Sequence, residues 1–158
     1  MNAPVFVETQ RFSARLLGSV WAAMVVLSLV LRMVLPQEDH GPAWLLPLTL
    51  LLVLAAARAV FVLRTEVHGD RLSVRLWPLP RLELPVSRMH RIEAVGYRPL
   101  RDFGGWGLRF GRQGTIYSTS GSRAVRIEAE GRRPLFIGSA QPEALVAALR
   151  AAGAGKAR

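Results

Sequence analysis

LLGSVWAAMVVLSLVLRMVL (Leu16–Leu35) and PAWLLPLTLLLVLAAARAVFVL (Pro42–Leu63) are separated by only the six residues 36–41. Each run is close to the ~20 residues that cross ~30 Å of hydrocarbon at ~1.5 Å rise per residue. In lipid a chain satisfies its backbone polar groups only by staying helical or closing a barrel, so the second run must turn straight back. The stretch reads as a transmembrane α-hairpin with spans of about 16–35 and 42–63. A segment 1–15 precedes it, and a polar domain starts near Arg64.

Arginine placement sets the expected orientation. Arg11 and Arg15 precede the first span and Arg64, Arg71 and Arg75 follow the second, whereas the connection carries Glu38, Asp39 and His40. Short loops rich in Lys or Arg stay cytoplasmic, which predicts a multi-pass protein of the cell (inner) membrane with both termini in the cytoplasm. A cleavable secretory signal is the rival reading. The first run is longer than a usual signal core, however, and Leu35-Pro36-Gln37-Glu38 holds no small-residue cleavage site. Arg32 and Arg58 lie near span ends, where their side chains can snorkel to the headgroups; the alternative is a relay or transport role. Gly18 with Ala22, and Ala55 with Ala59, put small residues at i and i+4. That spacing allows close helix approach, within the hairpin or between two copies.

The remaining 90 or so residues suffice for one small domain and are too few for two. They carry 17 of the 21 basic and 8 of the 11 acidic residues, and so nearly all of the net charge of +10. A basic domain beside a cytoplasmic leaflet is drawn to anionic lipid. Without a helix-turn-helix or zinc-ligand pattern, charge alone gives no nucleic-acid reading, and no nucleic-acid partner is expected. The chain has no cysteine, which excludes disulfides, thiolate metal sites and cysteine catalysis.

After the hairpin the pattern switches to alternation, the strand period. Leu72, Val74 and Leu76 alternate with Arg71, Ser73 and Arg75 after a Gly69-Asp70 turn and before Pro78 and Pro80. Short strands are expected around Leu82 and Leu84, from Arg91 to Tyr97, and through Trp106, Leu108 and Phe110. A further one runs from Thr115 to Thr119, with a core face its polar positions leave unassigned. Val125, Ile127 and Ala129 alternate with Arg126, Glu128 and Glu130, and Leu135–Ile137 closes the series. Pro142 and Glu143 then open an amphipathic helix with a stripe of Leu145, Val146 and Leu149. The tail 153–158 is expected to fray. The fold class is α+β: a transmembrane α-hairpin, then a bent antiparallel β-sheet or barrel of six or seven strands over residues 64–152, capped by a C-terminal α-helix.

The stretch Tyr97-Arg98-Pro99-Leu100-Arg101-Asp102-Phe103-Gly104-Gly105-Trp106-Gly107-Leu108-Arg109-Phe110-Gly111, followed by Gly138-Ser139 and Pro142-Glu143, resembles the signature of bacterial membrane proteins with a pleckstrin-homology-like domain. The resemblance covers about Arg64 to Ala152, and the preceding two-span hairpin fits such proteins. It implies a PH-like fold, is nearly silent on function and carries no family site over to this chain.

Two readings of Tyr97–Gly111 stay open. The glycines Gly104, Gly105 and Gly107 fit a tight bend at a barrel corner, with Tyr97 and Trp106 in the core and Asp102 paired to an arginine. Alternatively Arg98, Arg101 and Arg109 line a shallow cleft beside Trp106 and hold a phosphate, a carboxylate or a partner. Catalytic parts are missing elsewhere. His40, His68 and His90 have no metal-like spacing, the serines lack a nucleophile-elbow pattern, and Gly104-Gly105-Trp106-Gly107 precedes a strand with no phosphate-binding lysine.

The expectation is a non-catalytic, cofactor-free, membrane-anchored interaction module, an adaptor or accessory subunit of a membrane assembly. Its partners would be the lipid bilayer and an unidentified membrane or cytoplasmic protein, and its candidate contacts Arg98, Arg101, Trp106 and Arg109. Recognition of anionic lipid headgroups by the basic domain is the second reading, and an accessory subunit of a transporter or channel the third.

Overall fold

The computed structural model describes residues 5–34 and 45–155. The chain divides into two compact units, one spanning 12–60 and the other combining 1–11 with 61–158.

The first unit holds two apolar helices, α1 (Ala14–Val34) and α2 (Leu45–Val60), neither with a buried residue. Among the described residues only α1, at 21 residues, is long and apolar enough to cross a membrane; α2 has 16. The expected acidic connection and the start of the second run, at residues 36–44, lie outside the described residues. The helices touch along Leu17, Trp21, Met24 and Ser28 of α1, half-buried positions that recur at helical spacing. The Trp21 Nε1–H donates to the Pro47 carbonyl at 2.9 Å. Gly18, Ala22, Ala55 and Ala59 are exposed, so the small residues do not form this seam. The Arg58 guanidinium donates to the Phe12 carbonyl. The second helix stops at Val60 instead of continuing to Leu63, because Val62 and Leu63 are already extended and paired in a sheet.

The second unit is two β-layers with two α-helices among its described residues. β1 (Phe6–Arg11), β2 (Val62–His68), β3 (Arg71–Trp77) and β4 (Leu82–Pro85) form an antiparallel sheet in that order. β1 corrects the reading of residues 1–15 as a segment apart from the domain. Its register runs from Phe6 opposite Val67 to Arg11 opposite Val62, so the residues flanking the helical unit face each other across one ladder. β5 (Met89–Gly96), β6 (Gly107–Gly111), β7 (Gly114–Ser118), β8 (Arg123–Ala129) and β9 (Leu135–Gly138) form the second sheet in the order β5-β8-β9-β7-β6. The β7–β9 pair is parallel. The expected antiparallel sheet of six or seven strands is thus nine described strands in two sheets, one of them mixed. The parallel pair arises because β9 slots between β7 and β8, the two strands that precede it in the chain.

Alternation places the core as expected. Leu72, Val74 and Leu76 of the first sheet meet Val125, Ile127 and Ala129 of the second. The last helix, α4 (Pro142–Ala151), adds Leu145, Val146 and Leu149 to the same core. Its Glu143 carboxyl is held below the usual carboxylate range, first by a backbone N–H at the helix start and then by Arg123. The chain after α4 is docked, not frayed, through Gly155. Ala154 is buried, and the Gly155 N–H donates to the Met89 carbonyl at 3.0 Å.

One carboxylate ties the sheets together. Glu8 of β1 accepts hydrogen bonds from the Ser139 hydroxyl at 2.5 Å and the Ala140 N–H at 2.7 Å, and Gln10 donates to the Gly138 carbonyl at 3.2 Å. The N-terminal strand therefore braces the loop that launches α4.

Candidate functional site

The second sheet has an apolar outer face as well as an inner one. Tyr97, Phe103, Ile116, Ala124 and Phe136 form a second small core there. The Phe103 ring meets Phe136 edge-on at 5.2 Å and Tyr97 at 5.9 Å, a geometry that the ring quadrupoles favour.

Phe103 reaches that core from a five-residue helix, α3 (Pro99–Phe103), inside the stretch expected to be a plain loop. Pro99 presets the first helical turn, and the Asp102 carboxylate accepts the Arg98 N–H at 2.7 Å. Gly104, at φ +72°, ends the helix in the left-handed conformation, and the N–H groups of Gly104 and Gly105 return to the carbonyls of Leu100 and Pro99. Asp102 thus serves the backbone instead of pairing with an arginine side chain.

Of the four candidate contacts, Arg98 and Arg101 line one open depression together with Tyr97, Asp102 and Ser122. Trp106 and Arg109 form a neighbouring pair. The Arg109 Nε–H donates to the Trp106 carbonyl at 3.1 Å, and the Trp106 Nε1–H donates to Gly121, the residue before Ser122. Trp106 is half-buried and precedes β6, so it caps the turn and does not enter the core. None of Arg98, Arg101 and Arg109 has a carboxylate partner among the described residues. By contrast Arg64, Arg71, Arg81, Arg91, Arg123 and Arg126 are all ion-paired.

Sequence reasoning passed over Leu100. It stands on α3 between the two unpaired arginines and is 72% exposed; its signal was a leucine outside any apolar period. It also passed over the hydroxyls beneath this surface. Among the described residues, Tyr97 Oη, Ser118 Oγ and Thr119 Oγ1 are buried without a well-formed hydrogen bond. Burial pushes the Tyr97 phenol above its ordinary range, and the nearby Ser118 hydroxyl offsets only part of the rise.

The described histidines lie against carboxylates on other surfaces, His68 3.9 Å from Glu66 and His90 3.7 Å from Glu128. Among the described residues no three His, Cys, Asp or Glu side chains gather as metal ligands would. His40 lies outside the described residues. Comparison of the chain with protein-family models, curated proteins and solved structures finds no match.

Proposed function

We propose that this chain is a membrane-anchored interaction module, a non-catalytic adaptor or accessory subunit whose pleckstrin-homology-like domain presents α3 to an acidic segment of a partner protein. The carrying observation is Leu100, exposed between Arg98 and Arg101, whose guanidinium groups have no carboxylate partner among the described residues. Arginine is among the residues that concentrate binding energy at protein interfaces, and Leu100 beside the two arginines adds apolar area for a partner to cover. Tethering raises the effective concentration of such a surface, so a small contact suffices.

Two features support the anchor. Neither apolar helix has a buried residue, and a bilayer supplies the apolar surroundings such helices need. Arg11 faces Val62 in the β1–β2 ladder. A segment that leaves and re-enters at one place crosses a bilayer an even number of times, which fits two spans with both termini cytoplasmic.

The test is co-purification in mild detergent of the full-length protein and of two variants with unchanged melting temperature, Arg98→Ala/Arg101→Ala/Arg109→Ala and Leu100→Ser. A partner held by the intact protein, released by raised salt and lost from both variants is the expected result. An identical set of proteins with all three forms, or none with any, overturns the reading.

A further inference from the structure

The outward face of the first sheet changes character along its length. Read across the ladder, one row holds Val7, Glu66, Ser73 and Glu83, the next Thr9, Arg64 and Arg75, and the last Arg11, Val62 and Trp77. The first two rows carry the ion pairs of Glu66 and Glu83. In the last row the ionic lattice gives way to a valine and a tryptophan that stand opposite each other, close enough to touch. Trp77 is 47% exposed, although the other outward residues of its strand are Arg71, Ser73 and Arg75.

That row is also the end of the sheet from which the apolar helices leave and to which they return. Only Phe12 and Ser13 separate Arg11 from α1, and only Phe61 separates α2 from Val62. An extended chain covers at most ~3.6 Å per residue, so Val62 lies within ~7 Å of the end of α2. Trp77 is one strand spacing, ~4.8 Å, from Val62. Where α2 leaves the hydrocarbon, the Trp77 indole is therefore within reach of the headgroup layer.

Three local features suit that layer. Among the described residues the Trp77 indole N–H has no hydrogen-bond partner, whereas those of Trp21 and Trp106 donate to carbonyls. Pro78 and Pro80 are exposed and have no N–H to withdraw from water. Leu79, between them, turns back onto the core and donates its N–H to the Leu76 carbonyl at 2.7 Å, which holds the loop and leaves Trp77 at its rim. An indole joins an apolar ring to a donor that wants water, the reason Trp collects at membrane–water interfaces. We propose that Trp77 is an interfacial anchor, seated at the glycerol and headgroup level of the bilayer that α1 and α2 enter. It holds this end of the first sheet against the membrane, and it needs neither anionic lipid nor the arginines of α3. It rests on the membrane anchorage proposed above and adds which edge of the domain meets the bilayer.

The experiment uses the full-length protein in phosphatidylcholine nanodiscs at raised salt, which screens any attraction between arginines and lipid charge. Subtracting the emission of Trp77→Phe, or of Trp21→Phe, from that of wild type isolates each indole, with melting temperatures matched. Nitroxide lipids carry the quencher at the glycerol level or deep in the acyl chains, and acrylamide quenches from water. Trp77 should be quenched about threefold more by the shallow nitroxide than by the deep one, and Trp21, inside α1, more by the deep one. Lipid quenching of Trp21 with Trp77 answering only to acrylamide would overturn the anchor and leave the membrane reading standing. Lipid quenching of neither would overturn both. A Trp77 shielded from acrylamide yet untouched by either nitroxide would overturn the anchor in favour of a protein or a second copy covering the indole. Quenching that required phosphatidylglycerol and vanished at raised salt would overturn it in favour of charge.

Discussion

The two sheets solve the problem of a second face differently. In the first, Leu63, Val67, Leu72, Val74 and Leu76 point inward, while the outward side chains form an ionic lattice. Glu66 stands beside Arg64 and 3.7 Å from Arg81, and Glu83 stands 3.3 Å from Arg81 and 3.7 Å from Arg71. That face is finished by water. In the second sheet Ile116, Ala124 and Phe136 give the outer face an apolar patch of its own, which the chain covers with Tyr97 and α3. A sheet with two apolar faces needs a lid, and here the lid carries the candidate docking surface. The glycine-rich stretch is thus both a structural corner and the presenter of Arg98, Leu100 and Arg101.

The largest expected effect breaks the second sheet at its parallel pair. A Cβ at Gly114 would lie 2.0 Å from the Pro134 carbonyl oxygen, in a residue at φ +141°. Gly114→Val should therefore cost about 4 kcal/mol or more, or prevent folding, read as a fall in urea midpoint or in the yield of folded protein. Next, Phe136→Ala empties the outer-face core and should cost about 3–4 kcal/mol. The matched change on the first sheet's outer face, Glu83→Gln, should cost no more than about 1 kcal/mol, since exposed ion pairs contribute little. If the two costs came out alike, the contrast between the faces would be wrong.

The smallest effect is the most specific. Tyr97→Phe removes a buried hydroxyl that makes no well-formed hydrogen bond among the described residues, so the change at neutral pH should stay within about 1 kcal/mol of zero. Because burial raises the phenol, the folded state keeps its proton more tightly than the unfolded chain. Its contribution is fully present below the ordinary value of about 10 and is lost as pH rises through the higher folded value. A stability profile above pH 10 should fall less steeply in Tyr97→Phe than in wild type. An unchanged slope would mean that Tyr97 is not protected as the packing implies.

What the sequence revealed follows the same contrast. One-sided strands were legible: Leu72, Val74 and Leu76, like Val125, Ile127 and Ala129, announce an inward face by alternation. β9 is buried at all four positions and β7 at alternate ones that include Gly114 and Ser118, so neither pattern tells where the strand pairs. β1 was missed because its inward positions are Phe6, Glu8 and Gln10. The last two meet the polar loop at Gly138–Ala140 instead of the core, which leaves no apolar alternation to read. α3 is too short to show a helical period. At the candidate surface Arg98 and Arg101 stood out beside the glycines. Leu100 gained meaning only once α3 placed it between them.

The β1–β2 ladder carries a consequence for construction. Adjacent antiparallel strands are ordinarily joined by a tight turn, and here the joint from Arg11 to Val62 is filled by the two apolar helices. The helical unit is, in effect, an enlarged hairpin loop. A chain trimmed to begin after the second helix would lose β1 and the Glu8 brace and leave β2 as a bare edge. A chain in which a short Asn-Gly turn replaces residues 12–61 would keep every described strand of both sheets and shed both apolar helices.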